Sequence, residues 1–84
     1  MMYEIWEHYY GRPMIKSGPM SGCYDLPRHK WVRLNKRLVG LKRAIKTAKN
    51  HPFHCAVSPP NSTKKTFDNG KSPGLPDGWI PPLS

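Results

Sequence analysis

Residues 31–48, WVRLNKRLVGLKRAIKTA, decide how this chain is read. Trp31, Leu34, Leu38, Leu41, Ile45 and Ala48 recur at alternating intervals of three and four residues. At about 100° per residue, that spacing gathers them into a stripe roughly 100° wide along one side of a helix. Arg33, Lys36, Arg37, Arg43 and Lys46 project mostly from the other side. Val32 and Val39 fall among the basic residues. Gly40 sits near the centre of the basic side, where it costs about 1 kcal/mol against Ala and admits a close backbone neighbour. Asp25-Leu26-Pro27 is a good helix start, with a carboxylate to accept early N–H groups and a proline suited to the first turn. Asn50-His51-Pro52 is an equally good stop, because the residue before proline is pushed out of helical backbone. The pattern predicts a helix over about 27–49.

Read as a coiled-coil seam, the same stretch has Lys30, Arg37, Asn35, Lys42 and Lys49 on its flanks. A homodimer would set like charges opposite one another, so the seam is expected to meet a different surface. Upstream, residues 1–10 (MMYEIWEHYY) place Met2, Ile5, Trp6 and Tyr9 at i, i+3, i+4 and i+7. This predicts a short amphipathic N-terminal helix, too short to stand alone and packed by its aromatic side against the stripe. Residues 11–26 are punctuated by Gly11, Pro13, Gly18, Pro19 and Gly22 and read as a loop or arm. Residues 51–84 hold seven of the ten prolines, which predicts an extended arm. Asp68-Asn69-Gly70 and Pro76-Asp77-Gly78 are turn signals within it. Its isolated apolar residues Phe67, Leu75, Trp79, Ile80 and Leu83 read as anchors for a partner's groove. The expected fold is therefore small and mostly α, with one long basic amphipathic helix over 27–50, extended arms and little independent core.

With 84 residues, 37% of them hydrophobic, the chain has material for one small domain at most. Its net charge is +9, and the acids Glu4 and Glu7 lie in a first decade that carries no Lys or Arg. Such a balance favours polyanions: RNA, DNA or an anionic surface. No run of residues approaches the length of a membrane span. The N-terminal decade lacks the basic start of a secretory signal and the Arg-rich character of a transit peptide, so an intracellular location is expected, cytoplasmic or, by internal targeting or a removed presequence, mitochondrial. The sequon Asn61-Ser62-Thr63 is read as chance in that setting.

The inventory for catalysis is thin: five scattered acids, no phosphate-binding Gly-rich loop and no nucleophile elbow. Cys23, His51, His54 and Cys55 are formally a zinc set, and Cys23 and Cys55 a disulfide. The cysteines lack C-x2-4-C spacing, and adjacent His54 and Cys55 cannot easily share an ion, so free thiols with no metal and no cofactor are expected. Arg28, Lys30, Arg33, Lys36, Arg37, Arg43, Lys46 and Lys49 are the candidate contacts to a nucleic-acid backbone, with Trp31, His29 and the N-terminal aromatics available for stacking. Trp31, Leu34, Leu38, Leu41 and Ile45, with the anchors of the arm, are the candidate protein contacts. The expectation is a non-catalytic structural subunit of a large assembly, most naturally a ribonucleoprotein such as an organellar ribosome. The alternatives are an accessory subunit of an organellar membrane-associated complex without RNA, and a small viral or regulatory nucleic-acid-binding protein.

Overall fold

A computed structural model describes residues 1–80, and it overturns the mostly α expectation. The described residues form an antiparallel sheet of six strands and a single helix: β1 (Met2–Pro13), β2 (Arg28–Arg33), β3 (Val39–Gly40), α1 (Leu41–Asn50), β4 (Cys55–Ser58), β5 (Phe67–Asp68) and β6 (Trp79–Ile80). Leu83 lies outside the described residues.

The organising element is β1. Its sequence, MYEIWEHYYGRP, is dense in the aromatic residues that favour a pleated, packed surface. Antiparallel strands line both of its edges, joined on one of them by a single parallel bridge from Tyr9 to Gly74. On one edge β3 pairs at Met2 and Tyr3, and β2 pairs from Trp6 to Gly11. Between these, the Leu34 N–H donates to the Ile5 carbonyl, while the Asn35 side chain accepts from the Ile5 N–H (2.9 Å) and donates to the Tyr3 carbonyl (3.1 Å). The Asn35 amide thus stands in for the strand where the chain leaves the ladder. On the other edge come β4 (opposite Glu4–Glu7), Gly74 (which exchanges bonds with His8 and Tyr10) and β6 (opposite Arg12 and Pro13). Because Glu4, Glu7 and His8 are buried along with Tyr3 and Ile5, apolar and polar residues do not alternate cleanly along β1. This is why Met2, Ile5, Trp6 and Tyr9 matched a helical period: the predicted N-terminal helix is a strand.

The predicted helix over 27–49 is also corrected. Only its last part, Leu41–Asn50, is helical. Ala44 and Ala48 are fully buried against the sheet, and their small side chains let α1 approach Tyr3, Ile5, Cys55 and Val57 to close the core. Val39, Leu41 and Phe67 pack around it. The first part of the stretch is β2, a bend and β3. Trp31 and Val32 point to opposite faces of β2, so Val32, a misfit on a two-sided helix, is in order on a strand. Gly40 is not inside a helix but is its N-cap, in extended backbone (φ −66°, ψ 157°), at the hinge between β3 and α1. Asp25 caps no helix. Its carboxylate accepts from the Leu26 N–H and pairs with Arg28.

Past the helix, Asn69 ties three elements together. It donates to the carbonyls of Ala48 and Phe53 and accepts from the Cys55 N–H, with partners 2.8–3.0 Å away. Lys71 closes the C-terminal end of α1 by donating to the Lys49 and His51 carbonyls, where a cation also complements the helix dipole. Residues 14–26 continue past the end of β1 as an open ribbon, held by the Met14–Tyr24 bridge and by the Ile15 N–H donating to Cys23. The radius of gyration is 14.9 Å, against about 12 Å for a compact chain of this length. The molecule is elongated, with Met14, Met20, Tyr24 and Leu26 exposed on or beside the ribbon.

Candidate nucleic-acid interface

Alternation along the strands divides the sheet into two unlike faces. Tyr3, Ile5 and Glu7 of β1 face the helix. Glu4, Trp6, His8 and Tyr10 face away from it, and the register sets Arg33 beside Trp6, Trp31 beside His8 and His29 beside Tyr10. On the other side of β1, Ala56 lies beside Trp6 and Asp68 beside Ala56. The face that carries no helix is therefore a field of rings: two indoles, one phenol and three imidazoles.

The imidazoles form a chain. His8 lies at its centre, with Nε2 2.6 Å from Nδ1 of His29 and Nδ1 2.6 Å from Nδ1 of His54. His54 Nε2 in turn reaches both oxygens of Asp68, at 2.7 and 2.8 Å. With Asp68 ionised and all three rings neutral, every proton has one place: His54 donates to Asp68, His8 to His54 and His29 to His8. Nε2 of His29 is then left as a free acceptor. Burial, then the neighbouring His54, His29 and Lys65, lower the His8 pKa below its ordinary value, against a weaker opposing pull from Asp68. Burial of the Asp68 carboxyl works to raise its pKa, but hydrogen bonds from the Gly70 N–H, His54 and Lys65 outweigh it and hold the group down at about 2.

Trp31 lies flat on His8, with ring centres 4.5 Å apart and planes within 9° of parallel. The Lys65 ammonium stands 4.8 Å from the Trp31 ring centre and 3.2 Å from Asp68. It comes from the loop 59–66 between β4 and β5, which crosses this face of the sheet. A cleft of about 450 Å3 opens beneath the loop, lined by Trp6, Trp31, Ala56, Ser58, Ser62, Thr63 and Lys65. Arg33 completes the rim beside Trp6, 3.3 Å from Glu4.

The candidate residues named from the sequence are distributed around the molecule rather than on one helix face. Arg33 and Trp31 lie on the ring-bearing face. Arg28 and Lys30 point to the opposite side of the same edge strand, where with Pro13, His29 and Trp79 they line a second hollow of about 360 Å3. Lys36 and Arg37 lie exposed in the bend before β3, and Arg43, Lys46 and Lys49 on the outer side of α1, behind the sheet. Leu41 and Phe67 pack internally, Ile45 and Leu38 are half-buried, and Leu34 is exposed. Leu75 and Trp79 lie over Gly11, and Ile80 pairs with Arg12. The four residues weighed as a zinc set are engaged separately. Cys23 is exposed in the ribbon, Cys55 is buried in the core, His51 bonds to Glu7, and His54 joins the imidazole chain. Both cysteines are free thiols. Burial, reinforced by the charge of Glu7, pushes the Cys55 thiol up to about 11. Trp6, His8, Tyr10, Lys65 and Asp68 were not singled out as site residues. The signal that carried them was the aromatic density of residues 1–10 together with four histidines in one short chain.

Comparison with protein-family models, with curated proteins and with solved structures returns no match. Among the described residues, no helix is long and apolar enough to cross a membrane.

Proposed function

We propose that this chain is a non-catalytic RNA-binding subunit of a larger ribonucleoprotein assembly, and that single-stranded RNA lies across the face of the sheet opposite α1. The observation that carries the reading is the row of rings Trp6, Trp31, His29 and Tyr10 on adjacent strands, edged by Arg33 and Lys65, in a chain of net charge +9. An open sheet bearing aromatic rings is a platform on which unpaired bases stack, while cations beside it neutralise phosphate. The basic residues behind the sheet, on α1 and in the bend, suit a second stretch of backbone in a folded RNA. The exposed ribbon with Met14, Met20 and Tyr24 suits a protein neighbour.

The test is titration of the chain with a fluorescently labelled, unstructured RNA at several salt concentrations. Binding should weaken steeply with salt. Trp31→Ala should lose about 1–3 kcal/mol of affinity, roughly 5- to 150-fold. A variant that stays folded by circular dichroism yet binds with unchanged affinity would remove the sheet face from the interface. A salt-independent titration would remove RNA as the ligand.

A further inference from the structure

The cleft under the loop 59–66 is more than a continuation of the platform. It is lined by Ala56 and Ser58 of β4, by the indole residues Trp6 and Trp31, and by Ser62, Thr63 and Lys65 of the loop. No carboxylate lines it. The nearest carboxylates, Glu4 and Asp68, are engaged by Arg33 and by His54 with Lys65. At about 450 Å3 it falls within the usual range for small-ligand pockets.

The cover is preordered. Pro59 and Pro60 stiffen its start, and Asn61 takes the left-handed backbone (φ 59°) that turns the chain over the sheet. Ser62 Oγ accepts from the Lys64 N–H at 3.1 Å, and the Thr66 N–H donates to the Val57 carbonyl at 2.7 Å, which returns the loop to the strand. Lys65 stands over Trp31 and donates to Asp68, which uses one of the three donors of its ammonium and leaves two for a ligand.

We propose that this cleft is a single-nucleotide pocket. It takes one unpaired base against Trp6 and the exposed margin of Trp31, whose ring is already stacked on His8 and faced by Lys65, with the hydroxyls of Ser62 and Thr63 on the base edge and Lys65 on the adjoining phosphate. The proposal deepens the RNA reading and rests on it for the identity of the natural ligand. Its chemistry also admits a free nucleoside monophosphate, and the experiment separates the two. A flat apolar ring, a few hydroxyls and one phosphate match the flat indole walls, the polar cover and the single cation. A ligand with several clustered charges does not.

The full chain is titrated with adenosine 5′-monophosphate, uridine 5′-monophosphate, ribose 5-phosphate and a short single-stranded RNA, and tryptophan fluorescence is read. Both mononucleotides should quench saturably with a Kd no weaker than about 1 mM, and ribose 5-phosphate, which lacks a base, should not. Lys65→Gln should weaken mononucleotide binding about 5-fold or more, since a charge-assisted contact is lost. Thr63→Phe, at an exposed loop position where folding is not at stake, should fill the cleft and abolish it. Absence of quenching by either mononucleotide, together with native RNA affinity in Thr63→Phe, would overturn the pocket and leave the RNA reading standing. Mononucleotide binding lost in Thr63→Phe, in a chain that binds no RNA, would support the pocket and overturn RNA as its source.

Discussion

Replacing His8 by Phe tests the imidazole chain at its centre. The substitution keeps a flat ring against Trp31 but removes both ring nitrogens, and with them the bonds to His29 and His54. Each such bond contributes about 1 kcal/mol net, so the variant should be about 2 kcal/mol less stable at pH 8. For a domain of this size that is a fall of roughly 8–16 °C in Tm. The informative quantity is how the difference changes with pH. The folded state holds the His8 pKa below its ordinary value of 6.5, so the unfolded chain binds more protons at this position as the medium is acidified. The contribution is fully present above pH 6.5 and is lost as pH falls toward the folded pKa, by up to about 1.4 kcal/mol per pH unit. Thermal melts of both proteins, from pH 8 down to pH 5, should therefore show the gap in Tm narrowing below pH 6.5. A gap that stays constant, or widens on acidification, would refute both the neutral state of His8 and the hydrogen-bonded chain drawn through it.

Four further predictions concern other parts of the fold. Gly40 caps α1 with no side-chain bond, the first turn contains no acid, and a Cβ there meets nothing within 4 Å. Gly40→Asp should therefore stabilise the protein by about 0.5–1 kcal/mol in urea unfolding. At Gly74 a Cβ would stand 2.7 Å from two ring atoms of Phe53. Gly74→Ala should accordingly cost about 1–3 kcal/mol and lower the urea midpoint. An aromatic disulfide reagent at pH 8 should titrate one thiol quickly, exposed Cys23, and a second only on unfolding, because Cys55 is fully buried and stays protonated to about pH 11. The same upward shift means that stability falls between about pH 9 and 11, where the unfolded chain sheds a proton that the folded one keeps.

The sequence made the later half of residues 31–48 legible and disguised the earlier half. Leu41, Ala44, Ile45 and Ala48 carry a true helical period, and they are the residues that α1 turns toward the sheet. Trp31, Leu34 and Leu38 extend that period only by coincidence of spacing, since they belong to a strand and a bend. Two residues marked the join. Gly40 is a poor helix-interior residue and an acceptable N-cap, and Asn35 is better suited to satisfying stray backbone groups than to a helical turn. In residues 1–13 the difficulty was different. Polar Glu4, Glu7 and His8 are buried on this strand beside Tyr3 and Ile5, so its period of two is masked. Its partners lie 17 to 68 residues away, where local spacing carries no information. The site was half visible for the same reason. The aromatics, His29 and His54 were noticed as residue types, but only strand register sets His8 between His29 and His54.

The dominance of β1 also governs how the molecule is made. Segments near residues 30, 40, 57 and 80 all dock on this one strand, while the only other strand pair among the described residues, β4 with β5, is a local hairpin. β1 precedes all of these partners in the chain and thus has no full complement of them until the later residues follow. Pairings of such long sequence separation place folding toward the slow end for small domains, in the range of about milliseconds to seconds. Until they form, an aromatic strand with both edges bare is open to whatever binds it first.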